Sequence, residues 1–146
     1  MNKNYLTLIL LFSICVNSQT QLPNVSLKTL SGQNTSTMEI SKKNNLIIIS
    51  LWATWCVPCK NELDAVAEVY DDWISETNVM YFAVSIDDSR TSKRIKPMVN
   101  GKEWDFEILL DENSDLKRAF GVSTVPYTVI CLLYTSDAAD ELRSGG

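Results

Sequence analysis

The stretch "LIIISLWATWCVPCKNE", Leu46 to Glu62, joins an apolar run to two cysteines, Cys56 and Cys59, with Val57 and Pro58 between them. Leu46–Ser50 has the composition of a strand buried on both faces. Beyond the cysteines, Leu63, Val66, Ala67, Tyr70, Trp73 and Ile74 recur at helical spacing, while Glu62, Asp64, Glu68 and Asp71 fill the other face. "VMYFAVSI", Val79–Ile86, is a second buried strand. Strand, helix and strand in that order make a βαβ unit, which requires a parallel pair. The predicted class is therefore α/β.

The flanks fit around this unit. Gln19–Asn45 is polar, with Gly32 and short alternations at Val25, Leu27 and Leu30, and reads as a small hairpin or irregular lead-in. "DDSRTSKRIKPMV" reads as a loop and a short helix ending near Pro97 and Gly101. Phe106–Leu110 is a third short strand. "NSDLKRAF" is a helix capped by Asn113 or Ser114 and closed at Gly121. "VPYTVI" is one more strand, opened by Pro126.

A length of 146 residues suits one domain. The formal net charge of −5 and the lack of a long basic run argue against nucleic acid as a partner. There is no histidine, which excludes Ser-His-Asp and Cys-His catalysis and removes the commonest neutral metal ligand. Residues 1–18 read as a signal peptide: Lys3 is the positive start, Tyr5–Val16 is too short to span a bilayer, and Val16 and Ser18 are small enough for cleavage before Gln19. The alternative is an uncut N-terminal membrane anchor. A lipid on Cys15 would place bulky Ile14 where a small residue is usual.

A pair of cysteines can bind metal, staple a fold or exchange electrons. Zinc wants four ligands, and this chain offers too few. Exported proteins usually keep cysteines as structural disulfides. A disulfide closing so short a loop removes little unfolded-state entropy, so it is a poor staple. Exchange is favoured by position. Cys56 falls at the start of the predicted helix, where unpaired N–H groups and the dipole favour a thiolate. Cys59 lies one turn further in, as the resolving thiol. Pro58 fits the first turn, where its missing N–H costs little. Trp55 would shield the sulfur and offer a flat surface to a partner. Lys60 reads as a surface residue.

"WATWCVPCKNE" together with "VSTVPYT" resembles the thioredoxin superfamily, and specifically the exported TlpA/ResA-like thiol-disulfide oxidoreductases, over roughly Leu22–Ile130. The lead-in "LPNVSLKTLSGQ" resembles their N-terminal hairpin, and Asp87–Gly121 their inserted strand and helix. The resemblance implies a thioredoxin-like fold, a central mixed sheet flanked by helices. It implies that the Val125–Pro126 bond is cis and faces the cysteines, leaving the Val125 backbone free to pair with a substrate strand. It assigns Glu62 to proton handling. Thr124 and Thr128 would help hold the turn. Ser50 stands where thioredoxins themselves carry a buried aspartate, which leaves Glu62 as the carboxylate beside Cys59.

The function so implied is reduction of protein disulfides by the Cys56/Cys59 dithiol, in the periplasm or another exported compartment. No cofactor or metal is needed beyond the redox-active disulfide. The expected partners are oxidised proteins, among them apocytochrome c, and a membrane thiol donor; the expected state is a monomer. The rivals are a redox-inert adaptor domain and a peroxiredoxin-like peroxidase. The peroxidase would need Thr and Pro where Ala53 and Ile49 stand. Met38, Trp104 and Tyr127 read as core rather than as a docking groove.

After Ile130 the resemblance stops. "CLLYTSDAADE", Cys131–Glu141, matches a translation of the transposase end and adapter used in sequencing-library preparation. The expectation is a thioredoxin-like domain over 19–130, lacking its last edge strand and helix and therefore destabilised, followed by a non-native tail over 131–146.

Overall fold

A computed structural model describes residues 22–133. Residues 1–18, read above as a signal peptide, and the expected non-native tail beyond residue 133 lie outside the described residues. The chain forms β1 (Ser26–Thr29), β2 (Asn34–Ser36), α1 (Thr37–Ser41), β3 (Leu46–Trp52), α2 (Val57–Thr77), β4 (Met80–Ser85), a 3₁₀ turn (Ser92–Arg94), α3 (Ile95–Lys102), β5 (Glu107–Leu110), α4 (Asp115–Ala119) and β6 (Tyr127–Leu132). One mixed sheet runs in the order β2-β1-β5-β4-β3-β6. Strands β3, β4 and β5 are parallel, while β1 and β6 join antiparallel.

The β-branched run does what its composition dictates. Ile47, Ile49, Leu51 and Trp52 are buried in β3, and Tyr81, Phe82, Ala83 and Val84 in β4. Helix α2 crosses between them and buries Cys59, Leu63 and Val66. Its C-cap Asn78 is left-handed, with φ 52°, and its N–H reaches the Ile74 carbonyl. An edge-to-face cluster fixes the helix to the sheet: Tyr70 meets Phe106 at 5.9 Å and Tyr81 at 6.3 Å, and Trp104 meets Trp52 at 5.4 Å. Trp104 is core, as expected. Met38 and Tyr127 are instead exposed, because α1 is a single short turn and β6 is the last strand of the sheet.

Three boundaries differ from the sequence reading. Pro97 does not end α3 but sits in its first turn, where its absent N–H would be unpaired anyway, and Gly101 is helical. Ser114 precedes α4 but makes no side-chain cap; it is left-handed, with φ 57°. Asp111 caps instead, its carboxylate accepting from the N–H groups of Asp115, Leu116 and Lys117 at 2.8, 3.0 and 3.1 Å. Strand β6 does not stop at Ile130, since Cys131 and Leu132 continue the ladder opposite Ile47 and Leu46. Pairing is made by backbone groups, so a strand continues as long as its partner presents edge amides and carbonyls.

Candidate active site

Strand β3 ends at Trp52, and the Cys56 N–H donates to the Ala53 carbonyl at 3.0 Å, closing a reverse turn around Thr54 and Trp55. That turn delivers Cys56 to the N-cap of α2, in extended backbone at φ −93°, ψ 102°. Cys56 and Cys59 are joined as a disulfide. The Cys59 N–H points at Cys56 Sγ, 3.3 Å away. This is the N-cap contact in which a sulfur replaces the usual oxygen. Pro58 lies in the first turn as expected.

The two sulfurs are not equivalent. Cys56 is 7% exposed and Cys59 only 1%. Trp55 and Val57, 58% and 60% exposed, form an apolar rim on either side of Cys56. Opposite them the Val125–Pro126 bond is cis, and the Val125 carbonyl oxygen stands 3.8 Å from Cys56 Sγ. The structure thus brings together Trp55, Cys56, Pro58, Cys59, Val125 and Pro126. A shallow groove of about 310 Å³ continues from Pro126 along Phe120, Val122, Ser123 and Tyr127.

Glu62 is half-buried on α2, one turn beyond Cys59. Its Oε1 accepts from Thr128 Oγ1 at 2.6 Å and from Ser50 Oγ at 3.1 Å. Thr128 therefore does not brace the proline turn; it points across to the helix. The Tyr81 hydroxyl is buried nearby without a hydrogen-bond partner. Burial pushes the Tyr81 pKa up to about 12, and the Glu62 charge adds to the rise. Below this group, Asp64 ties α2 to α3 through Lys102 Nζ at 2.6 Å and Trp104 Nε1 at 3.0 Å.

A buried carboxylate beside the turn escaped the sequence reading. Asp87, just past β4, accepts from the Thr54 N–H and hydroxyl. The available signal was a polar residue at the end of each of two adjacent buried strands, Thr54 after β3 and Asp87 after β4. No group of three or more potential metal-ligating side chains occurs among the described residues. Cys131, the free thiol of the described residues, is half-buried on β6, and burial pushes its pKa up.

A dithiol at a strand-to-helix junction, facing a cis-proline loop on a mixed sheet, defines a thioredoxin-like protein with a disulfide centre. Comparison with known proteins is consistent with that class and narrows it. The chain belongs to the AhpC/TSA family, which it matches over residues 19–132. It is similar to the thioredoxin-like protein YneN of Bacillus subtilis, 30% identical over 111 residues, 75% of this chain and 62% of the relative. It is also similar to the thiol-disulfide oxidoreductase ResA of Oceanobacillus iheyensis, 28% identical over 108 residues, 73% of this chain and 55% of that protein. The chain thus spans under two thirds of the length of these curated relatives. Among solved structures, a thioredoxin-like protein from Porphyromonas gingivalis superposes with a TM-score of 0.68 at 41% identity, over 84% of this chain and 87% of that one.

Proposed function

We propose that this protein exchanges thiols for disulfides and reduces oxidised proteins. The observation that carries the reading is the placement of Cys56. It is the more exposed cysteine of the disulfide, it caps a helix N-terminus, and its Sγ lies 3.8 Å from the Val125 carbonyl oxygen. In the reduced protein the Cys59 N–H and the dipole of α2 stabilise a Cys56 thiolate. That thiolate attacks one sulfur of a substrate disulfide, forming a mixed disulfide and expelling the other sulfur as a thiolate. Cys59 then loses its proton and attacks Cys56 Sγ, which restores the Cys56–Cys59 disulfide and releases the second substrate sulfur. The substrate gains two electrons and two protons; the protein loses them.

The remaining roles follow from place. Val125, before cis-Pro126, offers its backbone to an extended substrate segment. Trp55 and Pro58 shape the approach to Cys56. Glu62, one turn from Cys59, takes the proton that Cys59 must lose. The substrates are oxidised exported proteins, apocytochrome c among them, and a membrane thiol donor supplies electrons. The periplasm is the compartment this implies, with residues 1–18 as the export signal. No helix among the described residues is long and apolar enough to cross a membrane. Ala53 and Ile49 remain the argument against a peroxidase.

Insulin reduction with a thiol donor tests the reading. Wild type is expected to turn over, Cys56→Ser to be inactive, and Cys59→Ser to accumulate a mixed disulfide through Cys56, detectable by mass. No turnover by wild type, with Cys56→Ser behaving the same, would sink the reductase reading in favour of the inert adaptor.

A further inference from the structure

Asp87 is 1% exposed, and no lysine or arginine pairs with it among the described residues. A buried carboxylate without a counter-charge is costly unless hydrogen bonds replace its water. Three donors do so here. Thr54 N–H and Ser85 Oγ reach Oδ2 at 2.8 and 2.7 Å, and Thr54 Oγ1 reaches Oδ1 at 2.6 Å. Both donor residues are themselves buried: Thr54 is 4% exposed and Ser85 0%.

The bonds converge on one place. Thr54 is the first central residue of the turn that Cys56 N–H closes on Ala53. The backbone N–H at that position has no partner inside a reverse turn. Asp87 supplies it, and holds the side chain of the same residue with its other oxygen. Its own anchorage is firm: Ile86 N–H bonds the Trp52 carbonyl at 2.9 Å, and Asp87 N–H bonds Ser85 Oγ at 3.1 Å. A carboxylate accepts at both oxygens and donates at neither, which is what two hydroxyls and an amide require.

We propose that Asp87 is a positioning residue for the dithiol: through Thr54 it locks the turn that sets Cys56 on the helix N-cap, and so tunes the Cys56/Cys59 couple. It touches neither sulfur. The role rests on the exchange function proposed above. Its test does not, because the reduction potential of the couple can be measured against glutathione with no protein substrate present.

Geometry and charge predict opposite signs. Loss of the lock withdraws the Cys59 N–H from the thiolate, disfavours the reduced form and makes the potential more negative. Mere removal of a negative charge favours the thiolate and makes it less negative. Asp87→Ala is expected to shift the couple about tenfold towards the disulfide, about 30 mV more negative. Asp87→Asn keeps an acceptor oxygen for Thr54 and a donor that the hydroxyls can turn to accept. It is expected to stay at the wild-type potential or slightly less negative. Equal shifts in Asp87→Ala and Asp87→Asn, or none in either, overturn the proposal. If Asp87→Ala does not fold, Thr54→Val and Thr54→Ser decide. Thr54→Val loses the 2.6 Å bond and should move the potential, while Thr54→Ser restores it. A wild-type potential in Thr54→Val overturns the proposal.

Discussion

Replacing Thr128 by valine keeps the branched shape and deletes the hydroxyl that reaches Glu62 Oε1 at 2.6 Å. Ser50 Oγ, at 3.1 Å from the same oxygen, remains. The two hydroxyls lie 3.1 Å apart, so both serve one acceptor. A hydrogen bond to a charged group contributes roughly 1.5–3 kcal/mol when buried. Thr128 is exposed and Glu62 half-buried, so water replaces much of the lost donor, and about 1 kcal/mol is expected for Thr128→Val. Ser50 is fully buried, and Ser50→Ala leaves less room for such replacement. The informative quantity is the coupling. With one donor gone the carboxylate still has the other; with both gone it has none on that oxygen. Thr128→Val with Ser50→Ala should therefore cost more than the sum of the singles, by about 0.5 kcal/mol or more. Urea unfolding of the four proteins, at a common m-value, measures it. Strict additivity would refute the shared carboxylate.

Other expectations concern the same scaffold. Tyr81→Phe removes a buried hydroxyl that lacks a partner, so the unfolding midpoint should hold or rise; a loss above about 1 kcal/mol would reveal a partner. Asp64 and Asp111 respond to acid with opposite signs. The Lys102 hydrogen bond holds the Asp64 carboxyl below its usual range, so its stabilisation is present above the unfolded value and lost as pH falls through the folded one. Burial raises Asp111 despite its three backbone donors. Its native form binds the proton more readily than the unfolded chain, so stability falls as pH rises from the unfolded to the folded value. Asp64→Asn should flatten the acid limb of a stability–pH curve, while Asp111→Asn should remove the opposing slope at slightly higher pH. Ile130 is 68% exposed on the last strand of the sheet, so Ile130→Lys should reduce self-association in sedimentation runs without lowering the unfolding midpoint.

The parts of this fold that were legible in the sequence are those governed by local pattern. The apolar runs of β3 and β4, the helical spacing of Leu63 and Val66, and Cys56 at the junction all follow from neighbours in the chain. Parallel pairing of β3 with β4 followed from the intervening helix. The misread features join distant positions. The Asp111 cap was masked by Ser114, a residue type that commonly caps and stands in the right place. Thr128 was assigned to its own turn because its partner, Glu62, is 66 residues away. Asp87 and Thr54, 33 residues apart, carry no periodicity to betray them; only the parallel register of β3 and β4 sets the two strand ends side by side. Polar residues at strand ends are read from sequence as loop, although burial makes them the most constrained side chains of the site.

Strand β6 is the last in the sheet, held laterally by β3 alone among the described residues. Its first residues follow directly on Val125 and Pro126. The loop that faces Cys56 is thus moored to an edge strand, which, like β2 at the far side, has a single neighbour among the described residues. Amide exchange along Tyr127–Leu132 should report how often the wall opposite the disulfide swings away. Exchange along β6 and alkylation of the reduced Cys56 are therefore expected to rise and fall together across conditions.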